Sequence, residues 1–390
     1  MYFPVGFDWD SYPKLKPHQA AVKYILHLLH LRRVLYDGER DAFIELKMAY
    51  LKAIVPEAPA VMKLLLDLNI LERDTHYLPG EKSYGYRLVS DELRNAVRKK
   101  IPLNDTRLSK RLAAQRQQAT KAPVHRWLRD QLYRIGLAEI DQEYLRQVAV
   151  VSQMDKNKGT VEDKIEAYRY ALNMIQDGYY HAAADDYGRF HSNVTNLKRE
   201  LRSVLRVSGR PLSEIDIKNS QLLFLALEMK KDGADCGDFL DRCQQDVYKY
   251  IANEANVTRD KVKKAITQRA LFSENDKPCQ RSPIKQTFDR LFPQVALYLH
   301  QAKDQKDGHK LLAQQLQQAE SDFVVGTVCE RIRREKRVTF ITTIHDSVLF
   351  LPKDGEYIMQ VMLDEFSKLG VTPRLEVKTL APPRQQAQGE

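Results

Sequence analysis

The chain has 390 residues, of which 43% are apolar, so it is long enough for two or three domains and is globular rather than disordered. It has no apolar run of the ~20 residues that a membrane span needs and no signal-peptide pattern, so we expect a cytoplasmic protein without a membrane partner. A formal net charge of +10, spread along the chain, favours nucleic acid as the partner, although a merely basic protein has the same composition.

Residues 1–90 combine helical and β-hairpin patterns. The segments HQAAVKYILHLLHLRRVLY and PAVMKLLLDLNILERD have apolar residues at helical spacing. ILERDTHYLPGEKSYGYRLV then places two β-prone segments around Pro79–Gly80. Helices followed by a hairpin with nearby Lys and Arg indicate a winged-helix-like DNA-binding domain. A small α+β domain without nucleic-acid contacts fits the same pattern.

Residues 91–135 are strongly basic and poor in glycine, and we predict a basic helical linker over residues 91–145. Such a charge run is either a solvated face or a surface that follows phosphates. From residue 146 to 390, helical periods alternate with short strands. The whole pattern predicts an α+β chain that is mostly helical.

An acidic residue stands at the junction of a predicted strand and helix. EIDI predicts a short strand, and SQLLFLALEM predicts a helix that starts just after it, so Asp216 lies at the strand end. A carboxylate there can hold a cation together with phosphate oxygens. An ordinary strand-end or N-cap acid gives the same pattern.

A cationic helix is predicted from Thr258, in TRDKVKKAITQRALF. It carries Arg259, Lys263 and Lys264, which suit a triphosphate and the charge on a leaving group. A lysine-rich surface helix is the plain alternative.

The segment TTIHDSVLFLPK predicts a hairpin with Asp346 at its crest. The residue is either a turn former or a metal ligand. Brought together, Asp346 and Asp216 would repel each other and would therefore need cations, two Mg²⁺ or Mn²⁺ ions in a nucleotidyl-transfer site.

The order of these segments is similar to that of a known enzyme family. GRFH, DIKNSQ, RDKVKKAITQRALF, ESDFVVGTVCERIRR and IHDSVLF follow one another along the chain. In this order they resemble the polymerase core of family A DNA polymerases and, more distantly, the single-subunit phage-type RNA polymerases with the same right-hand palm. The resemblance covers about half of the chain and implies a palm and fingers core within residues 146–390, with residues 91–145 as a thumb-like linker.

The resemblance also implies roles for individual residues. Asp216 and Asp346 would bind Mg²⁺ or Mn²⁺, with the Ile217 carbonyl as a third ligand, and His345 would lie near the primer terminus. It implies nucleotide contacts by Arg259, Lys263, Lys264, Phe272, Gln221 and Leu223, with Lys264 also in a catalytic role. It implies contacts with template or primer by Arg189, His191, Arg202 and Arg206.

Three departures from the family pattern bear on the substrate. Lys218 and Asn219 widen the gap between the first aspartate and Ser220, and Ser347 follows the second aspartate as in the phage-type enzymes. Leu223 replaces the family's glutamate that packs against the sugar 2′ position. Without that acidic group, the pocket should accept ribonucleotides more readily.

These features together suggest a primase-polymerase of a phage, plasmid or other mobile element. The first 140 residues leave no room for the family's 3′–5′ exonuclease domain, which fits an enzyme that makes short primers. It would synthesise or extend primers on single-stranded DNA or a primer–template from NTPs or dNTPs, with a small accessory protein, single-strand binding protein or helicase as a plausible partner. The alternative is a non-catalytic DNA-binding replication or regulatory protein with a degenerate polymerase fold.

Overall fold

The computed structural model describes residues 1–35, 41–76, 78, 82–156 and 160–380. The chain forms two compact units. The N-terminal unit contains residues 1–119 and 139–179, and the C-terminal unit contains residues 120–138 and those from 180 onward. The predicted domain boundaries at 90 and 145 therefore differ from the boundaries of these units, since residues 139–179 pack with the N-terminal unit.

The first part of the chain alternates short strands and helices. Its elements are β1 (Tyr2–Pro4), α1 (Gln19–Leu35), β2 (Ile44–Glu45), α2 (Met48–Ile54), α3 (Ala58–Asp67), β3 (Leu71–Arg73), β4 (Gly85–Leu88), α4 (Asp91–Asn95), β5 (Arg98–Lys100) and α5 (Thr106–Ala119). Then come α6 (Pro123–Leu132) and β6 (Ile135–Leu137) of the C-terminal unit, and α7 (Gln142–Lys156) and α8 (Val161–Gln176) of the N-terminal unit.

The N-terminal unit contains the predicted helices and hairpin. Strands β3 and β4 pair antiparallel, with Leu71 opposite Leu88, and β2 adds to β4, which gives the sheet order β2-β4-β3. Helix α3 buries Val61 and Leu65 at helical spacing against the core. The predicted Pro79–Gly80 turn lies outside the described residues.

The C-terminal unit continues with more helix than strand. Its further elements are β7 (Ala182–Ala184), β8 (Phe190–Ser192), α9 (Asn193–Asn196), β9 (Leu205–Val207), β10 (Arg210–Pro211), β11 (Ser213–Ile217), α10 (Ser220–Lys231), α11 (Phe239–Gln244), α12 (Val247–Glu254), α13 (Arg259–Ala265), α14 (Pro283–Leu291), α15 (Pro293–Lys303), α16 (Gly308–Ser321), α17 (Glu330–Glu335), β12 (Ile341–Ile344), β13 (Ser347–Phe350), α18 (Gly355–Lys368) and β14 (Leu375–Thr379). Two π-helical segments, Ile266–Ala270 and Asp322–Cys329, continue α13 and α16.

A four-stranded antiparallel sheet organises the C-terminal unit, in the order β12-β13-β11-β14. Strand β11 alternates buried and partly exposed residues: Ile215 and Ile217 are buried, whereas Glu214 and Asp216 are not. Since successive side chains of a strand point to opposite faces, the two acids share the open face of the sheet.

The structure confirms the predicted fold class, α+β and mostly helical. It also confirms the EIDI strand and the hairpin that Asp346 caps, because β11, β12 and β13 lie where the sequence predicts them. Among the described residues, none of the helices has the length and apolar character that a membrane crossing requires.

Candidate active site

The two aspartates singled out from the sequence meet at the end of the central sheet. Ile344 pairs with Ser347, so His345 and Asp346 form the two-residue turn between β12 and β13, and His345 takes a left-handed φ of 53°. Asp216 on β11 lies opposite Ser347, the residue that follows Asp346. The register of the sheet therefore brings the two carboxylates, distant in sequence, next to each other.

The turn after β11 ties Asp346 to helix α10. Asn219 has a left-handed φ of 58°, which asparagine tolerates better than most residues, and its Nδ2 donates to the carbonyl oxygens of Cys243 and Gln245 at 3.2 and 3.0 Å. Ser220 then begins α10, and its Oγ donates to Asp346 Oδ2 at 2.6 Å. The wider spacing between Asp216 and Ser220 is thus taken up by an ordered turn that keeps Ser220 at the site.

Lysine and glutamate side chains form a chain of ion pairs beside Asp216. Lys218 Nζ lies 3.4 Å from Asp216 Oδ2 and also pairs with Glu376, which lies opposite Asp216 on β14. Lys378 Nζ contacts the same Glu376 carboxylate at 2.5 Å. These contacts lower the pKa of Glu376 to about 2, so the carboxylate stays ionised in this network.

The electrostatics of Asp346 fit a cation site. Burial and the neighbouring Asp216 raise the pKa of the Asp346 carboxyl, while the bond from Ser220 and the charge of Lys263 lower it. An added cation would relieve the repulsion between the two carboxylates.

The available donor atoms decide which cation fits. Within the described part of the chain, no group of three or more His, Cys, Asp or Glu side chains is arranged to hold a metal ion. Two carboxylates, with the Ile217 carbonyl as the predicted third ligand, form an all-oxygen set. Such a set suits Mg²⁺ or Mn²⁺, which commonly bind through one or two carboxylates and complete their shell with water and substrate phosphate.

The aspartates open into a cleft of about 550 Å³. Of the described residues that line it, seven are Lys or Arg and four are Asp or Glu. The predicted site residues among them are Arg189, Arg202, Asp216, Ile217, Gln221, Arg259, Lys263, His345 and Asp346. The excess of positive charge suits a phosphate-rich ligand.

Helix α13 lines the cleft through Arg259 and Lys263, which are four residues apart and so share one face. Arg259 Nε donates to both carboxylate oxygens of Asp246 at 3.0 and 3.1 Å, whereas Lys263 is exposed. Lys264 is not among the residues that line the cleft, because it lies one position further round the helix. Of the two predicted lysines, Lys263 therefore faces the cleft, and the nucleotide contact and catalytic role of Lys264 stay predictions.

Two predicted nucleotide contacts lie outside the lining of the cleft. Leu223 is fully buried in α10 and does not line the cleft, so its contact with the sugar stays a prediction. Phe272 also lies outside the lining, since α13 continues into a π-helical segment that ends before it. Tyr248 does line the cleft, and its hydroxyl lies 2.6 Å from Thr267 Oγ1.

A buried glutamate that the sequence did not single out lies in the wall of the cleft. Glu320 of α16 is 1% exposed, accepts a bond from Arg189 Nη2 at 2.6 Å, and accepts another from Gln221 Nε2 at 2.6 Å. Burial and the charge of Asp346 raise its pKa to about 7, despite the pairing with Arg189. In the sequence Glu320 is the first residue of ESDFVVG. A polar residue in a predicted helix is common, so this position gave no indication of a buried glutamate.

The remaining predicted contacts lie near the hairpin turn. His191 Nε2 lies 2.8 Å from Asp185 Oδ2, and its ring centroid is 6.3 Å from that of His345. Burial and nearby cationic groups lower the pKa of His345 to about 4, so its ring is neutral at pH 7. Neither His191 nor Arg206 lines the cleft, and Arg206 Nη1 donates to the carbonyl oxygens of Ser203 and Leu205.

Comparison with solved structures gives a distant structural similarity. No family model and no curated protein matches the sequence. The fold is similar to the POL domain of Pol1 from M. smegmatis, solved in complex with DNA primer-template and dNTP, with a TM-score of 0.41 and 13% sequence identity. The match covers 62% of this chain and 55% of that one. At these values the similarity says nothing about activity or individual residues.

Proposed function

We propose that this chain is a template-dependent nucleotidyltransferase that synthesises or extends short primers on single-stranded DNA. The observation that carries the proposal is the pair of adjacent carboxylates, Asp216 and Asp346, in a cleft that also presents Lys263. Metal-binding acids beside a phosphate-binding cation are what nucleotidyl transfer requires.

Each wall of the cleft has a distinct task in this proposal. Asp216 and Asp346 hold Mg²⁺ or Mn²⁺, which supplies Lewis-acid activation of the attacking hydroxyl and neutralises the leaving pyrophosphate. Ser220 fixes the orientation of Asp346, and Lys263 with Arg259 binds the triphosphate of the incoming nucleotide. Gln221 and Arg189, both bonded to Glu320, face the nascent base pair and the primer strand.

The proposed use of ribonucleotides rests on the side chains that α10 presents to the cleft. Only Ser220 and Gln221 of that helix line it within the described region, and neither is acidic. A pocket without an acidic group on this helix has less means of excluding a 2′-hydroxyl. Competition between labelled NTP and dNTP on one primer–template measures this, and strong preference for dNTP would contradict it.

The N-terminal unit is proposed to bind DNA as a winged helix. The chain order α1-β2-α2-α3-β3-β4 with the sheet order β2-β4-β3 supports this arrangement of a helical core and a β-hairpin wing. Replacing the exposed Lys63 of α3 by Ala should weaken DNA binding and reduce its salt slope by about one. The exposed Lys52 of α2 serves as the matched control.

The proposal is tested by incubating the protein with single-stranded DNA, Mg²⁺ or Mn²⁺, and labelled NTPs or dNTPs, with and without a primer. Incorporation that disappears in Asp346→Ala and persists in Asp260→Asn supports the proposal, because Asp260 is exposed on α13 outside the cleft lining. Absence of incorporation under every condition contradicts it.

A second candidate function is that of a non-catalytic DNA-binding protein. The observation in its favour is Lys218, whose ammonium group already pairs with Asp216 as an internal cation would. If this pairing has replaced metal binding, the wild type and Lys218→Ala should both lack incorporation activity. If the chain is an enzyme, a metal ion displaces the ammonium group and the variant keeps the activity of the wild type.

A further inference from the structure

Two separate elements supply cations to the cleft. Helix α13 contributes Arg259 and Lys263, whereas the segment between α9 and β9 contributes Arg199 and Arg202. A single incoming triphosphate accounts for the first group only. The second group therefore offers a further set of phosphate contacts in the same cleft.

The second group is held on a rigid support. Leu197 and Leu201 are buried on either side of Arg199. Arg202 Nε donates to Leu197 O at 3.0 Å and its Nη2 to Thr195 O at 3.5 Å. These bonds fix the guanidinium plane through two of its nitrogens and leave Nη1 without a hydrogen bond to another described residue.

Protein acids compensate the charges of this group only in part. Arg199 is exposed and forms no ion pair with any other residue in the described part of the chain. Glu214 is the acid that acts most strongly on Arg202, and its carboxylate already accepts a bond from Ser347 at 2.7 Å. Two adjacent arginines with so little compensation form a site for a compact polyanion.

The hairpin turn of the candidate active site faces both cationic groups. His345 and Asp346 line the same cleft as Arg199 and Arg202 on one element and Arg259 and Lys263 on another. The carboxylates that would hold the cation therefore share one cleft with both cationic groups. Two nucleotides that are being joined in this cleft would therefore each have a cationic group to bind their phosphates.

We infer that Arg199 and Arg202 bind the 5′-triphosphate of the nucleotide that starts a chain, an inference that rests on the proposed function. The initiating nucleotide presents its 3′-hydroxyl, whose oxygen attacks the α-phosphorus of the incoming nucleotide. The new P–O bond forms as the bond from the α-phosphorus to the bridging oxygen breaks, pyrophosphate leaves, and the hydroxyl proton passes to water. The dinucleotide product keeps the triphosphate of the initiator.

The test compares initiation with extension in the full-length protein. On a single-stranded template, an initiating NTP labelled at its γ-phosphate yields a labelled dinucleotide, whose formation is measured against initiator concentration. Arg199→Ala should raise the KM for the initiator by about tenfold or more, because it removes a charge-assisted phosphate contact. Extension of a pre-annealed primer with a 5′-hydroxyl should stay within about twofold of the wild-type rate. Arg210→Ala, an exposed arginine outside the cleft lining, is the matched control for both reactions.

A second initiator separates a triphosphate site from general binding to nucleic acid. The wild type should start chains far better with an NTP than with the unphosphorylated nucleoside, and Arg199→Ala should lose most of that preference. Equal losses in initiation and extension would show that the two arginines bind the primer strand and would overturn the inference. Extension without any initiation by the wild type would also overturn it but leave the nucleotidyltransferase proposal standing. No incorporation at all would overturn both.

Discussion

Two charged regions of the C-terminal unit are built in opposite ways. On the surface formed by α17 and α18, Arg331 bonds to Glu335 at 2.7 Å, Asp364 at 3.1 Å and Glu365 at 2.9 Å. In the cleft, Asp216 pairs with Lys218, but Asp346 beside it and Lys263 have no ion pair among the described residues.

This difference separates charges that serve stability from charges that await a ligand. Paired surface charges stabilise the fold modestly, whereas like charges held together in a partly buried site destabilise it. A fold keeps such a site where a ligand supplies the missing countercharge. The cleft, and not the α17–α18 surface, therefore has the electrostatic character of a binding site.

The largest effect is expected at Asp346. Asp346→Asn should lower nucleotide incorporation by about a thousandfold or more, because it removes a charged ligand of the catalytic cation. The same change should raise the free energy of unfolding at pH 7 in the absence of metal. The reason is that burial and Asp216 raise the pKa of Asp346, so its ionised form is disfavoured in the fold. Urea denaturation measures the stability and an incorporation assay measures the activity. A variant that stays active and is less stable than the wild type would show that the two charged regions do not differ in this way.

The next effect is expected on the cationic helix. Lys263→Ala should raise the KM for the incoming nucleotide by about 10- to 100-fold, since a charge-assisted phosphate contact contributes about 1.5–3 kcal/mol. Lys264→Ala should change it by less than about twofold, because Lys264 does not line the cleft. Steady-state kinetics of the two variants decide between the registers, and the reverse ranking would contradict the cleft described above.

A smaller effect concerns Glu320 and its dependence on pH. A folded-state pKa near 7, raised above the ordinary value by burial, makes the wild type lose stability as pH rises from about 4.5 through 7. Glu320→Gln lacks this loss, so its unfolding free energy relative to the wild type should increase by up to about 3 kcal/mol between pH 5 and pH 8.

Glu330→Gln provides the control for this titration. Bonds from Arg333 and Arg334 lower the pKa of Glu330 to about 2, so its stabilising effect is lost only as pH falls below the ordinary carboxyl range. The difference in unfolding free energy between this variant and the wild type should therefore stay flat from pH 5 to pH 8. A flat profile for Glu320→Gln as well would mean that Glu320 is ionised throughout that range.

The smallest effect is expected on the paired surface. Arg331→Ala should lower the free energy of unfolding by about 0.5–1 kcal/mol, because ion pairs at the surface contribute little and Lys368 still pairs with the buried Glu365. It should leave nucleotide incorporation unchanged. Chemical denaturation and the incorporation assay check both statements. A loss of activity comparable to that of Lys263→Ala would show that the two regions do not differ in the way described.

Local patterns in the sequence predicted the strand of Asp216 and the hairpin of Asp346, because alternation and turn residues act over short distances. They did not predict Glu320. Its role depends on Arg189 and Gln221, which lie 131 and 99 positions earlier in the chain. The local patterns also did not show that Leu223 is buried in α10 and does not line the cleft. Which side chains of a helix face a cleft depends on how that helix packs against elements far away in the sequence, and local patterns do not contain this information.

The boundary of the N-terminal unit could not be predicted either, because it depends on contacts between distant parts of the chain. The Tyr2 hydroxyl donates to Asp177, and His27 Nε2 lies 2.8 Å from the Tyr179 hydroxyl, so the end of α8 and the residues after it pack against the first helix and strand. Such contacts leave no mark on local composition. A truncation at residue 90 would cut through this unit instead of removing it.

The central claim is that Asp216 and Asp346 together hold the cation for nucleotidyl transfer. Its most direct test is the rate of incorporation on one primer–template as a function of Mg²⁺ concentration, for the wild type, Asp216→Asn and the control Asp260→Asn. We expect the wild type and Asp260→Asn to show the same saturable Mg²⁺ dependence, and Asp216→Asn to lose incorporation at every concentration. Incorporation by Asp216→Asn at the wild-type rate would contradict the claim.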